Sequence, residues 1–204
     1  MTKAVSIIGA GGHTRSLLEL LESCGKQIEG IYDDSYQPGE RELIGRYELT
    51  GALASLSATE TLVLAIGDNQ RRAEFFHQYR QQLLEDNLLH RLADCARDVQ
   101  LGVANQLFAN VFVNAQAKLG NNNIINSGAI IEHETEVGSH NHISVGAILC
   151  GRVTVGSHCM IGAGATVIDK VSVCDRVIVG ANSTVVSSID RPGVYVGSPA
   201  RRVK

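Results

Sequence analysis

This sequence lacks a dominant charge sign, long apolar runs, paired cysteines and, over nearly half its length, aromatic rings. Its 204 residues carry 18 Lys+Arg against 21 Asp+Glu, a net charge of -3. Without a basic field, a protein that tracks nucleic-acid phosphates is excluded. No apolar run reaches the roughly 18 residues of a membrane span, so no span is expected. The opening residues MTKAVSIIGAGG lack the apolar stretch and small-residue cleavage site of a signal peptide. The five cysteines (Cys24, Cys95, Cys150, Cys159 and Cys174) contain no C-x-x-C pair. That argues against a disulfide framework or a Cys-rich zinc site and fits a reducing compartment. The expectation is a soluble, cytoplasmic protein.

Eight of the nine aromatic residues precede position 113, and the ninth is Tyr195. A shift of this kind marks two differently built modules, with a boundary between Leu92 and Val99. We take them as residues 1–92 and 93–204.

The second module is a repeat. From Leu101 to Val185 every sixth residue is aliphatic, fifteen positions in phase. A helix needs apolar residues near every 3.6 positions and a half-buried strand needs every second. A period of six fits a solenoid of short strands, one aliphatic per side pointing inward and Gly or Asn at the corners. Gly follows the aliphatic at Gly102, Gly120, Gly138, Gly156, Gly162 and Gly180. This pattern resembles the hexapeptide-repeat acyltransferases, which implies a left-handed parallel β-helix. Three hexads then make one coil, and residues eighteen apart stack about 4.8 Å from each other.

The first module reads as α/β. Lys3 to Ile8 is a buried strand, followed by Gly9-Ala10-Gly11-Gly12-His13 and a helix from Thr14 to Cys24. A second strand, Ile28 to Tyr32, ends at Asp33-Asp34. A third, Leu62 to Ile66, leads into a helix expected over Gln70 to Asp86. Strand, glycine turn, helix, strand begins a doubly wound, Rossmann-like sheet. The glycines let amides approach a phosphate at a helix N-terminus, or serve only a tight turn. The acidic pair sits where a ribose or base can be bound. Thr14 stands where the third glycine of G-x-G-x-x-G belongs, which disfavours a dinucleotide oxidoreductase.

The densest polar cluster in the repeat runs from Asn126 through His133-Glu134 to His140-Asn141-His142. Coil arithmetic puts Asn126 and His142 on one face of adjacent coils and His133 on the next face beside Glu134. A histidine is the natural base near neutral pH, and a neighbouring carboxylate orients it. Acyl transfer from a thioester suits this pair, with a backbone amide holding the oxyanion.

The N-terminal GAGGH, INSGAIIEHE and the closing YVGSPARRV together resemble the bacterial sugar acetyltransferases. These include the bacillosamine and perosamine N-acetyltransferases and the sialic acid O-acetyltransferases. The resemblance implies His133 as general base with Glu134 beside it. It implies acetyl-CoA as cosubstrate, contacted by Asn126, His142, Gly151, Gly162, Gly180, Ala181 and Arg201. It places the nucleotide sugar at Gly9, Gly11, Gly12, His13, Asp33 and Asp34. It implies a homotrimer with its catalytic groove between neighbouring β-helices, and no metal. Arg201 and Arg202 meet CoA phosphates or are solvated terminal charges; both readings stand. An amine and a hydroxyl acceptor both remain open.

Two readings of other classes compete. His140 and His158, eighteen apart, suggest a γ-carbonic-anhydrase-like zinc enzyme, but that family's H-x-x-x-x-H spacing is absent. A non-catalytic scaffold that senses a nucleotide sugar predicts binding without CoA turnover.

Overall fold

The computed structural model describes residues 4–35, 43–44 and 46–204. Lys3, the expected first residue of the opening strand, lies outside them. Strand β1 (Val5–Ile8) is buried throughout, and α1 (Gly12–Ser23) follows. Next come β2 (Ile28–Tyr32), the short antiparallel pair β3 (Leu43–Ile44) and β4 (Tyr47–Glu48), β5 (Leu62–Leu64) and α2 (Asn69–Gln78). Strands β2, β1 and β5 form a parallel sheet in that order. Leu17, Leu18, Leu20 and Leu21 give α1 one apolar face, buried in a cluster with Val5, Ile7, Ile31 and Val63. Gly25, at φ +66°, ends α1: its amide reaches Glu22 O and the Lys26 amide reaches Leu21 O, a glycine-capped ending.

Helix α2 is shorter than expected, stopping at Gln78 rather than Asp86. The apolar spacing through Leu83 and Leu84 reads as helix, yet both residues are buried in an extended segment beside β5. The Leu62 amide donates to Gln82 O and the Leu84 amide donates to Leu62 O, each at 2.9 Å. Completing the sheet edge satisfies backbone groups that a longer helix would leave unpaired on β5.

The rest of the chain is a parallel β-solenoid. Two-residue strands recur every six residues and stack into three parallel sheets, as in Ile124↔His142 and Ile125↔Ile143. Fourteen of the fifteen in-phase aliphatics are buried, and Leu101 is partly buried at the open first coil. The ladder begins at Leu88–Leu89, which pairs with Gln106–Leu107. Leu89 and Cys95 thus extend the period of six upstream of Leu101, into residues placed before and at the expected boundary.

The corners differ from expectation in an informative way. Left-handed backbone recurs every six residues from Ala104 to Asn182, three positions after each aliphatic. Gly128, Gly146, Gly164 and several asparagines occupy it, but so do Glu134, His140, Arg152, His158, Lys170 and Arg176. The glycines directly after the aliphatics do not have positive φ. They permit close stacking instead: a Cβ on Gly138 would lie 2.7 Å from Gly156 O, one coil on.

Beside those glycines runs a buried asparagine ladder. The Asn123 amide donates to Asn105 Oδ1, the Asn141 amide to Asn123 Oδ1, and the Cys159 amide to Asn141 Oδ1. Each Nδ2 reaches a carbonyl fifteen residues on, as Asn123 does to Gly138 O at 2.9 Å. Asn123→Ala would leave two backbone groups unpaired, so it should cost about 2–6 kcal/mol, at 1–3 per buried group. Urea unfolding checks this; wild-type stability would show that the ladder contributes nothing.

Candidate active site

The first polar region lies at the carboxyl ends of β1, β2 and β5. Gly9 has φ +110°, and a Cβ there would sit 2.7 Å from Ala65 O, so only glycine fits this turn. Gly11 and Gly12, at the start of α1, face open space. A cavity of about 230 Å³ is lined by Gly9, Gly11, Asp34, Gly67, Arg71 and Phe75 among others. It lies outside the strand ends of an α/β sheet, where such folds bind ligands. Asp33 also lines it, but its carboxylate already accepts from the Ala10 and Ser35 amides, at 2.8 and 2.9 Å. Burial raises the Asp33 pKa, but these amides and Arg71 outweigh it and hold the carboxylate below its ordinary value. Gly12 and His13 do not line this cavity.

His13 points instead into the seam between the two parts of the chain. Its Nε2 lies 2.9 Å from Gln106 Oε1, and Gln106 Nε2 donates to Leu64 O at 2.7 Å. Gln106 therefore accepts from His13 Nε2–H. The His13 ring stands 6.3 Å from that of His142, centroid to centroid. Asn126 Oδ1 accepts from the Ser127 amide, which turns Asn126 Nδ2 toward His142 Nε2 at 3.2 Å. Nδ2 can only donate, so His142 Nε2 is an acceptor, which leaves the proton of the neutral ring on Nδ1; the Gly67 carbonyl is the backbone group that faces the ring. Burial first, then the Arg72 charge and His13, draw the His142 pKa down to about 4, against the Gly67 bond, which raises it.

The second histidine of interest stands at a different edge of the solenoid. His133 follows the strand Ile130–Ile131, in another sheet from His142. Its side chain is 43% exposed, and Nδ1 lies 3.0 Å from Glu134 Oε2. Arg152 Nε holds the same oxygen at 3.1 Å. The His133 bond chiefly, with Arg152, keeps Glu134 below the usual carboxylate range despite some desolvation. Gly151 lies against the ring: a Cβ there would be 2.7 Å from His133 Cε1 and Nε2. Glycine thus leaves room for the imidazole, with Nδ1 tied to the carboxylate and Nε2 free of it.

Comparison with known proteins places the chain. Residues 4–79 match the PglD N-terminal domain, and residues 152–187 match the bacterial transferase hexapeptide (six repeats). PerB of Caulobacter crescentus, solved with CoA and GDP-perosamine, is 30% identical over 100% of this chain and 99% of its own, with a TM-score of 0.89. The chain belongs to the hexapeptide-repeat sugar acetyltransferases. The acetyltransferase domain of PglB from Neisseria gonorrhoeae, solved with acetyl coenzyme A, is 26% identical, covers 100% of both chains and has a TM-score of 0.90. No curated protein sequence matches.

Other expected residues of this acetyltransferase fall as follows. Gly162 packs against the next coil, where a Cβ would meet Val179 O at 2.6 Å and Ala181 N at 2.7 Å. Gly180 similarly leaves room for Val196. Arg201 is exposed in the C-terminal strand Arg201–Arg202. His140 and His158 stack at 5.0 Å, but among the described residues no group of three His, Cys, Asp or Glu side chains could hold a metal ion. His140 instead accepts from Asn122 Nδ2 at 2.9 Å and packs on Phe76 of α2. Gln106, Asn69 and Arg72 were missed by sequence reading. Gln106 interrupts a column that continues Ile124, His142, Met160 and Ile178, which is a weak signal; Asn69 falls in the turn before the expected helix and Arg72 within that helix, with no pattern to mark either.

His140 and His142 both have pKa values near 4, against 6.5 for a free histidine. Above pH 6.5 the folded and unfolded chains are alike neutral at these sites. Below it the unfolded chain takes up protons that the fold refuses, so stability should fall as pH drops from 6.5 toward 4. Urea midpoints across that range test this; a flat profile would contradict the neutral seam.

Proposed function

We propose that this acetyltransferase moves the acetyl group of acetyl-CoA to the amine of a nucleotide-linked amino sugar, a UDP- or GDP-4-amino-4,6-dideoxy sugar of bacterial surface glycan synthesis. The observation that carries the reading is the His133–Glu134 pair, 3.0 Å apart beside Gly151, in a chain that also bears a cavity at the carboxyl ends of its α/β sheet. The amine nitrogen attacks the thioester carbonyl carbon. A C–N bond forms as the C–S bond breaks, and the electron pair leaves on the CoA thiolate. His133 Nε2 takes the amine proton, and Glu134 stabilises the resulting imidazolium. The Gly151 amide is assigned to the developing oxyanion.

The cavity at Gly9, Gly11 and Asp34 takes the nucleotide, with the open start of α1 toward its phosphates. Gly12 adjoins this helix start, while Asp33 shapes the turn and His13 the seam. Asn126 and His142 face the acetyl-CoA side. A groove of about 290 Å³ over Met160 and Ile178, beside Gly67 to Gln70, has an apolar floor suited to the pantetheine arm. Gly162, Gly180 and Ala181 continue that side, and Arg201 is placed toward the CoA phosphates. Residues 1–92 are read as the nucleotide-sugar unit and 93–204 as the transferase unit. PerB was solved with CoA and GDP-perosamine, which supports both assignments.

A homotrimer follows from the same reading. His133 stands half-exposed on one edge while His142 lies in another sheet, so a second β-helix is needed to wall the base from water. The five free cysteines favour a reducing cytoplasm.

Thiol release from acetyl-CoA should depend on the UDP- or GDP-linked amino sugar. Release with free or CMP-linked sialic acid instead would move the acceptor to a hydroxyl. His133→Ala should lower kcat by about 10²–10⁴-fold while CoA binding persists; unchanged turnover would remove His133 from its role. Light scattering should give three times the 21.8 kDa chain mass, and a monomer fully active at that mass would refute the shared groove.

A further inference from the structure

Helix α2 carries a buried guanidinium that acetyl transfer, as described above, does not use. Arg72 is fully buried. Its five N–H groups have five partners. Nε donates to Asn122 O, and Nη1 to Ile66 O and Gly67 O. Nη2 donates to Asn69 Oδ1 at 2.7 Å and to Asn141 O at 2.9 Å. All five acceptors are neutral, and no carboxylate lies within ion-pair distance of Arg72 among the described residues. A buried charge without a paired counter-ion is costly; the five hydrogen bonds, with the Asp68 carboxylate acting from beyond ion-pair distance, stabilise it here.

The five acceptors come from two places. Asn122 and Asn141 belong to adjacent solenoid coils; Ile66, Gly67 and Asn69 form the turn between β5 and α2. Asn69 Nδ2 adds a further tie, to Cys159 O at 2.8 Å. The turn is a shared wall: Gly67 and Asp68 line both the 230 Å³ cavity and the 290 Å³ groove. The Gly67 carbonyl also faces the His142 ring, and the Asn126 side-chain amide donates to Nε2 of that ring.

We propose that Arg72 is a positioning residue for acetyl transfer: its guanidinium sets the 66–69 turn, and the Gly67 carbonyl of that turn holds His142 in the Nδ1–H form. The two substrate sites thereby share one rigid wall rather than meeting across a loose joint. Lysine cannot replace it, because one ammonium has three donors at a single point whereas the acceptors lie on both sides of the seam. The kinetic consequence rests on the proposed function; the ring geometry does not.

The test therefore has two readouts. Long-range ¹⁵N–¹H spectra of ligand-free protein at pH 7 should show His142 as a single Nδ1–H tautomer. Arg72→Lys should replace this with a mixture of tautomers, and kcat/KM for the amino sugar should fall about 10- to 100-fold, as expected for loss of charge-assisted hydrogen bonds. Asn69→Ala, which leaves the buried charge in place, should shift the same signals and serves if Arg72→Lys does not fold. Glu19→Ala breaks another link in the seam, to His90 at 2.8 Å, and should leave the His142 spectrum as in wild type. A folded Arg72→Lys with an unaltered His142 tautomer and unaltered kinetics overturns the proposal. So does the same spectral loss in Glu19→Ala, which would trace the effect to docking in general. An inactive wild type with an intact tautomer response would sink the acceptor assignment and leave the positioning role standing.

Discussion

The stacking of residues eighteen apart governs the geometry of this molecule. Backbone hydrogen bonds such as Asn126 N to Ile143 O and Glu132 N to Leu149 O lock each coil over the last. Any two side chains in one column are then neighbours whether or not they attract each other. That constraint puts Gly151 against His133 and Arg152 against Glu134. It also explains why some columns admit only glycine and others run as asparagine ladders. A coil spacing set by the backbone leaves no room for a Cβ where carbonyls meet. Where amides would otherwise be buried unpaired, it requires a side chain that both donates and accepts.

The two histidines of the solenoid owe their different characters to position. His133 projects from a left-handed corner, half in solvent, with a carboxylate on Nδ1. The carboxylate fixes that ring's orientation and leaves Nε2 directed away from it. His142 lies in the seam under α2, between an amide donor and a carbonyl, with the Arg72 charge nearby. Such a ring is held neutral and oriented. One chain thus carries a half-exposed histidine tied to a carboxylate and a buried histidine held between an amide and a carbonyl, nine positions apart.

The α/β unit adds what a bare solenoid lacks, an α/β turn with open amides and a cavity. Its attachment combines apolar contacts, Phe108 and Ile124 against the α1 leucines, with buried polar side chains, Gln106, Asn122, His140 and Arg72. Polar contacts of fixed direction specify an angle and a distance that apolar packing leaves adjustable.

The period of six, and with it the solenoid core, was legible because every buried aliphatic is spaced by the same short strand. The β1–Gly9–α1 turn was legible because positive φ and close approach to Ala65 demand glycine. His133 and Glu134 could be paired from adjacency, and Asn126 with His142 from coil arithmetic. Local pattern misread the end of α2, where sheet completion by Leu83 overrides helical spacing. Adjacency grouped His13 with the nucleotide glycines, and the fold sets its ring in the seam against Gln106. Only the tertiary structure could reveal Arg72 as a buried hub, since its five acceptors are carbonyls and an amide scattered from residue 66 to residue 141. The chain by itself therefore determined what repeats, because repetition is a local property written in spacing. How the two units meet was decided by the fold, because backbone carbonyls carry no sequence signature.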